Sequence, residues 1–286
     1  MSAAASSGAE ASVILSVGTA TDRGRRREVN EDSLLAQAPV FIVADGMGGY
    51  EAGDRASRAV VDAFRRHAAH GAYTTLDAVR EALIAADDGV AAVAEGTSRG
   101  AGSTVTGVAL VDVDGEPNWL VLNVGDSRVY RHLGTELHQV TIDHSLAQEL
   151  VDDGSMRRED MRGFAQRNVI TRAIGAADSS ADSWLLPVTN GERLLICSDG
   201  LTSEVTDEAI RATLTMAGRP ESAAEALVAR ANEAGGRDNI TVVVVDVVSG
   251  GRRAPIDDGS GSSSMRASAQ DDLDGTTIPV RAGERS

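Results

Sequence analysis

The chain has 286 residues, 42% of them apolar and 3% aromatic, enough for one large domain or two small ones around a buried core. Its formal net charge of −16, with 27 basic residues that are all arginine, argues against nucleic acid and anionic membrane as partners in the absence of a basic patch. The single cysteine, Cys197, excludes an internal disulfide, and no stretch approaches the roughly 18 apolar residues of a membrane span.

Residues 1–12 are small and polar, which predicts disorder; they hold no basic region followed by an apolar one, so no secretory signal and a cytoplasmic location are expected. A strand is predicted over 13–20, then a hairpin of 33–37 and 40–44 with Pro39 in its turn. Residues 53–69 have helical spacing, with Ala56, Ala59, Val60, Ala63 and Phe64 on one face, and 76–95 repeats it. Strands are expected again at 103–113, 119–124, 129–132 and 137–141. The capping box Ser145-Leu146-Ala147-Gln148 then opens a short helix to residue 153. The polar, arginine-rich stretch to Asn168 reads as a surface element. Further strands at 169–173, 183–186 and 193–197 precede helices at 207–217 and 221–234 and a last strand at 240–248. Strands, paired helices, strands and paired helices again fit an α+β fold of two sheets with helices outside. After residue 248 the composition turns to Gly, Ser, Asp and Arg, which predicts a disordered tail over 249–286.

Acids sit at the edges of these strands. Asp45, Asp126 and Asp199 follow apolar runs, whereas Asp238 and the pair Glu31-Asp32 precede them. Antiparallel neighbours bring the end of one strand beside the start of the next, so all of these acids can crowd at one end of a sheet. Packed carboxylates repel and stay partly protonated unless cations neutralise them, which points to a metal site. Asp45-Gly46-Met47-Gly48-Gly49 is a tight turn in which the Gly46 carbonyl can join the Asp45 carboxylate on a cation. With no histidine or cysteine among these acids, the all-oxygen set suits Mg²⁺ or Mn²⁺ better than Zn²⁺. A carboxylate bridging two such ions, ~3.5–4 Å apart, is an arrangement that activates water for phosphate ester hydrolysis. Arg25-Arg26-Arg27, just before Glu31, could supply a fork for phosphate oxygens.

In this order the motifs resemble the metal-dependent Ser/Thr protein phosphatases of type 2C, the PPM family, especially its bacterial branch. The matching stretches are 24–32 ending in Asn30-Glu31-Asp32, 43–49, Gly102-Ser103-Thr104, Gly125-Asp126-Ser127-Arg128, Asp143-His144-Ser145, Ser198-Asp199-Gly200 and Gly236-Arg237-Asp238-Asn239. Each is weak alone, but their ordered conjunction is specific. The resemblance covers roughly residues 12–248 and implies a phosphatase domain over 13–248, built as a four-layer α-β-β-α sandwich of two antiparallel sheets flanked by helix pairs. It implies two core Mn²⁺ or Mg²⁺ ions, with Asp45 bridging them, Asp199 and Asp238 completing one site, and Glu31 and the Gly46 carbonyl serving the other. Asp126, with Asp199, matches a third, weaker site. Arg27 matches the phosphate-binding arginine, Asp32 would orient Arg27 or a metal-bound water, and Asn239 would steady Asp238. The stretch 145–168 matches the flap beside the active site. Bacterial relatives often carry histidine where Tyr50 stands here, and eukaryotic ones carry it at the position of Met47, which leaves the general acid open between Tyr50 and a metal-bound water.

The implied activity is hydrolysis of phosphoserine and phosphothreonine in proteins, against bacterial Ser/Thr kinases. The alternatives are a catalytically weak regulatory scaffold and a phosphatase of an anti-sigma-factor pathway. In the tail, Asp271, Asp272 and Asp274 precede Thr276 and Thr277, which resemble sites phosphorylated by such kinases and read by forkhead-associated domains. His67, His70, His132 and His138 lack partners at ligand spacing and read as structural, and His144 has a structural reading before the capping box. Asp112 and Asp114 read as a hairpin turn, Asp152 and Asp153 as a solvated helix face, and Cys197 as a small buried hydrophobe.

Overall fold

The structure, a computed structural model, describes residues 12–48, 52–98 and 100–254. In chain order, β1 (Ile14–Asp22), β2 (Asp32–Gln37) and β3 (Val40–Met47) lead into helices α1 (Ala52–His67) and α2 (Leu76–Glu95). Next come β4 (Gly102–Ser103), β5 (Val105–Val113), β6 (Glu116–Val124), β7 (Arg128–Leu133), β8 (Glu136–Gln139), helix α3 (Leu146–Asp152) and a 3₁₀ turn (Arg158–Gly163). The chain then forms β9 (Asp182–Pro187), β10 (Arg193–Cys197), α4 (Asp199–Thr202), α5 (Asp207–Met216), α6 (Pro220–Ala234) and β11 (Ile240–Ser249). One sheet has the order β1-β11-β10-β7-β8, the other β2-β3-β5-β6-β9 with β4 against β3. Every strand pairing within them is antiparallel.

Strands that are apolar on both faces need a packed layer on each side. In β3, Val40, Ile42 and Ala44 join a cluster with Val60 and Phe64 of α1 and Val79 and Leu83 of α2. The alternate residues Phe41 and Val43 face the other sheet, meeting Leu194, Ile196, Val243 and Val245. On the far face of that sheet, Leu195, Cys197, Val242 and Val244 pack on Leu201, Ile210, Leu214 and Leu227 of α4, α5 and α6. The two-residue period of the strands therefore divides the core into three slabs, and the four layers are those the sequence predicts.

Several expectations are corrected. Residues 169–173 are not a strand: Ile170 bridges only to Ser145, and Ile174 only to Ser103. The backbone there meets Leu146, His144, Asp178 and Ser103 in turn, so no single neighbour provides a ladder. The strand expected over 103–113 is broken at Thr104, whose hydroxyl and N–H serve Asp45. Only half the capping box forms: the Ser145 hydroxyl accepts from Gln148 N, but the Gln148 amide donates to Asp152. Order continues past residue 248, since Arg252 N donates to the Val188 carbonyl and Gly251 N to the Asn190 side chain. Tyr50, Thr276, Thr277 and nearly all of the two expected disordered ends lie outside the described residues.

A polar cross-link joins the sheets at the end where β10 begins. Glu192, 1% exposed, accepts from Trp119 Nε1 of β6 at 2.9 Å, Thr189 N at 2.8 Å and Arg131 Nε of β7 at 2.6 Å. Glu192→Ala would leave the Arg131 charge and the Trp119 N–H without their partner. The expected loss in denaturant unfolding is roughly 3–5 kcal/mol. A loss below about 1 kcal/mol, the range of an exposed pair, would remove this cross-link from the stability of the fold.

Candidate metal centre

Strand pairing brings the acids of the second sheet together. The register of β2 against β3 sets Asp32 directly opposite Asp45. Asp45 is held through its backbone: its N–H donates to Thr104 Oγ1 at 3.0 Å, and its carbonyl accepts from Thr104 N and Ser103 Oγ. Glu31 lies one residue before β2, its carbonyl accepting from Gly46 N at 3.2 Å and Ser57 Oγ at 2.6 Å. A Cβ on Gly46 would fall 2.0 Å from the Gly53 carbonyl, and one on Gly53 would fall 2.5 Å from Glu31 Oε1. Only glycines let the turn after β3, the start of α1 and the Glu31 carboxylate approach so closely.

The first sheet supplies the other half. Cys197 pairs with Val242, so Asp199 after β10 and Asp238 before β11 share that edge. Ser198 links the halves. Its hydroxyl accepts from Thr241 N at 2.9 Å and so donates its own hydrogen to Asp32 Oδ2, also at 2.9 Å. Asn239 fastens the arginine loop to β11: its Oδ1 accepts from Glu31 N, and its Nδ2 donates to the carbonyls of Arg23 and Val29. Asp238 accepts from Asn239 N at 2.8 Å and from Arg27 at 2.7 Å. Of the run Arg25-Arg26-Arg27 in that loop, it is Arg27 that reaches the acids; its partner is Asp238, and Asp32 is bonded to Ser198.

Asp126 lies just after β6, in the turn before β7, beside a buried clamp in which Arg128 grips Asp143 through Nε and Nη2 at 2.8 and 2.6 Å. The remaining Arg128 nitrogen donates to Tyr130 Oη, which donates to Asp207. His144, 5% exposed, fixes the preceding backbone: Nδ1 accepts from Gly125 N, so Nε2 carries the hydrogen donated to Asp182. That is a structural pin for the Asp126 turn.

Charge repulsion dominates the electrostatics. Burial pushes the Asp32 carboxyl up to about 7, with Asp199 and Asp238 adding to the shift. Asp199 is raised to about 6, by burial first and then by Asp238. Asp45 and Asp126 are raised well above the carboxylate range, by burial and then by neighbouring aspartates: Asp32, Asp199, Asp126 and Asp238 act on Asp45, Asp199 and Asp143 on Asp126. As placed, no three of the described acidic groups close on one point; Arg27 holds Asp238, and Asp199 is hydrogen-bonded to Asp45. The chemistry nonetheless fits hard divalent cations. The donors are all oxygen, Asp32 Oδ1 is buried with no partner, and the glycine cradle aims Glu31 and the Gly46 turn at the same corner. Asp45, Asp199, Asp238, Glu31 and the Gly46 carbonyl are the groups placed to hold such ions, with Asp126 beside Asp199. The residues without a role in the sequence reading are Ser198, Thr104 and Gly53. Ser198 and Thr104 fall inside the quoted motifs, but only pairing across the two sheets reveals what they hold.

A family model for protein phosphatase 2C matches residues 21–232. The chain is 34% identical over 281 residues to the serine/threonine protein phosphatase PstP of Mycobacterium tuberculosis, covering 97% of this chain and 52% of that protein. It thus spans about half the length of that relative. It is also 34% identical over 237 residues to the serine/threonine phosphatase stp of Listeria monocytogenes, covering 79% of this chain and 93% of that one. The solved catalytic domain of PstP in complex with two manganese ions is similar with a TM-score of 0.73 at 33% identity, covering 83% of this chain and all of that one.

The raised acids set a pH dependence. Asp32 and Asp199 titrate at about 7 and about 6 in the fold, against 3.8 without its influence, so the folded protein binds their protons more tightly than the unfolded chain. That stabilisation is complete below the unfolded value and is lost as pH rises through the folded ones. Protein treated with EDTA should therefore melt at lower temperature at about pH 8 than at about pH 5, and Mn²⁺ should restore the melting point most at the higher pH. A melting point indifferent to both pH and Mn²⁺ would contradict the placement of these acids around cations.

Proposed function

The chain belongs to the protein phosphatase 2C family, and on that premise we propose that it is a Mn²⁺- or Mg²⁺-dependent protein phosphatase that hydrolyses phosphoserine and phosphothreonine, opposing bacterial Ser/Thr kinases. The observation that carries this reading is the burial together of carboxylates from two sheets, with one arginine beside them. Neither the thiol nor the hydroxyl next to these carboxylates is fit to be the nucleophile. Cys197 is fully buried with its thiol pushed up to about 12, and the Ser198 hydroxyl is engaged on both sides by Asp32 and Thr241. Water therefore attacks phosphorus, the bond from phosphorus to the serine or threonine oxygen breaks, and that oxygen leaves with a proton.

When bound, a divalent pair supplies the charge that ionises water near neutral pH and neutralises phosphoryl oxygens. The chain's own residues hold and orient. Ser198 and Thr104 fix the strands that carry Asp32 and Asp45, and Asn239 fixes the loop that carries Glu31. Arg27 keeps one nitrogen on Asp238 while its side chain remains 48% exposed. The rest of its fork can take phosphoryl oxygens while that pair persists. The complete acid set favours turnover over a weak scaffold role. Among the described residues no helix is long and apolar enough to cross a membrane, and the proposed setting is the cytoplasm.

Asp45→Asn and Asp238→Asn should each cut Mn²⁺-dependent hydrolysis of a chromogenic phosphate ester by roughly a hundredfold or more with an unchanged circular dichroism spectrum. Arg27→Ala should raise KM and lower kcat/KM roughly tenfold while calorimetric Mn²⁺ affinity stays near wild type. Undiminished turnover in the aspartate variants, or a trapped phosphoenzyme, would overturn this mechanism.

The proposal extends to the tail on sequence grounds. Acids before Thr276 and Thr277 favour phosphorylation there by a bacterial Ser/Thr kinase and docking of a forkhead-associated domain. Incubation with such a kinase should place phosphate on one of the two threonines in a mass-spectrometric map. Phosphate found only elsewhere would remove this part.

A further inference from the structure

Asp126 and Asp199 do more than face the other acids: they also line a cavity of about 410 Å³ that Arg27, Glu31 and Asp238 do not line. The two acids thus border a space that the arginine loop does not line. Five other residues of its lining are arginines: Arg158, Arg162 and Arg167 from the stretch after α3, Arg237 from the turn before β11, and Arg128, which Asp143 holds. Four aspartates, Asp126, Asp143, Asp199 and Asp207, line it too, yet the grouping of three arginines after α3 still needs an explanation.

Ordinary surface pairing does not supply one. The acids in the same stretch, Glu159 and Asp160, turn to Arg157, at 2.7 and 3.0 Å, and Arg157 does not line the cavity. Arg237 is engaged by Glu204 at 2.8 Å, and Arg167 gives one nitrogen to the Arg162 carbonyl at 3.2 Å. The guanidinium groups of Arg158 and Arg162 are exposed and have no hydrogen bond or ion pair among the described residues. The cavity therefore holds guanidinium groups without a carboxylate partner, in the same lining as Asp126 and Asp199. A phosphorylated residue bound at the carboxylate end would extend its neighbours past these guanidinium groups, which bind carboxylates through paired N–H donors.

We propose that this cavity is a subsite for acidic residues flanking the phosphorylated residue of a protein substrate, read by Arg158, Arg162 and Arg167. The assignment rests on the phosphatase reading above and adds a preference to it. Charged contacts at exposed positions are individually weak, so the preference comes from several acting together and diminishes as salt rises.

The test compares kcat/KM for phosphothreonine peptides that carry aspartates, or alanines, on one side or the other of the phosphothreonine, with a chromogenic phosphate ester as reference. Wild-type protein with Mn²⁺ should favour an aspartate-flanked peptide roughly five- to tenfold at low salt. The double variant Arg158→Ala/Arg162→Ala should lose most of that preference while hydrolysing the small ester at the wild-type rate, and Arg158→Glu/Arg162→Glu should turn it against aspartate. Equal rates on all peptides, or a preference that survives in the double variant while the ester is still turned over, would overturn the subsite alone. Failure to hydrolyse even the ester would overturn the phosphatase reading and the subsite with it.

Discussion

Buried carboxylates that repel one another are the constraint around which this molecule is arranged. Asp32, Asp45, Asp126, Asp199 and Asp238 arrive from strand edges of two different sheets, and all but Asp45 raise the cost of ionising another. Left to themselves such groups would push the sheet ends apart. Three apolar slabs hold the strands in place, and a hydroxyl bridge from Ser198 to Asp32 ties the two sheets at the acids. Arg27 offsets the cluster on one side, and the Arg128–Asp143 clamp braces the other. The fold thus keeps negative charge concentrated where cations can later lower its energy.

The parts of this arrangement that follow from local patterning were legible in the chain. Apolar runs, unbroken at 40–44 and interrupted only by Thr241 at 240–245, identify strands that bury both faces, and an aspartate at the edge of such a run must lie at the margin of a sheet. The stretch 169–173 misled for an instructive reason. Its apolar and β-branched residues have the composition of a strand, but a strand is a pairing, and here the contacts are spread over several different neighbours. Local preference cannot say whether a second strand is available.

What stayed hidden depends on residues far apart in sequence. Ser198 and Asp32 are 166 positions apart, and Asn239 meets the loop before β2 across more than 200. Serine, threonine and asparagine carry no charge signature, so their part in holding acids emerges only from the fold. The arginines after α3 were legible as a polar surface stretch. That Arg157 absorbs the acids of that stretch, leaving its neighbours without partners, depends on side-chain directions that spacing does not encode.

The pairing of β1 with β11 has a further consequence. Ile14 lies opposite Ser249 and Asp22 opposite Ile240, so the strand that begins the fold and the one that closes it run side by side along its length. The arginine loop and Asp238 sit at the Asp22 end, and both ends of the described fold emerge at the other, about 30 Å away by the rise of nine extended residues. Ile14 and Ser249 thus lie side by side at the edge opposite the carboxylates, so labels attached at these two strand ends would report on one another and not on the acids.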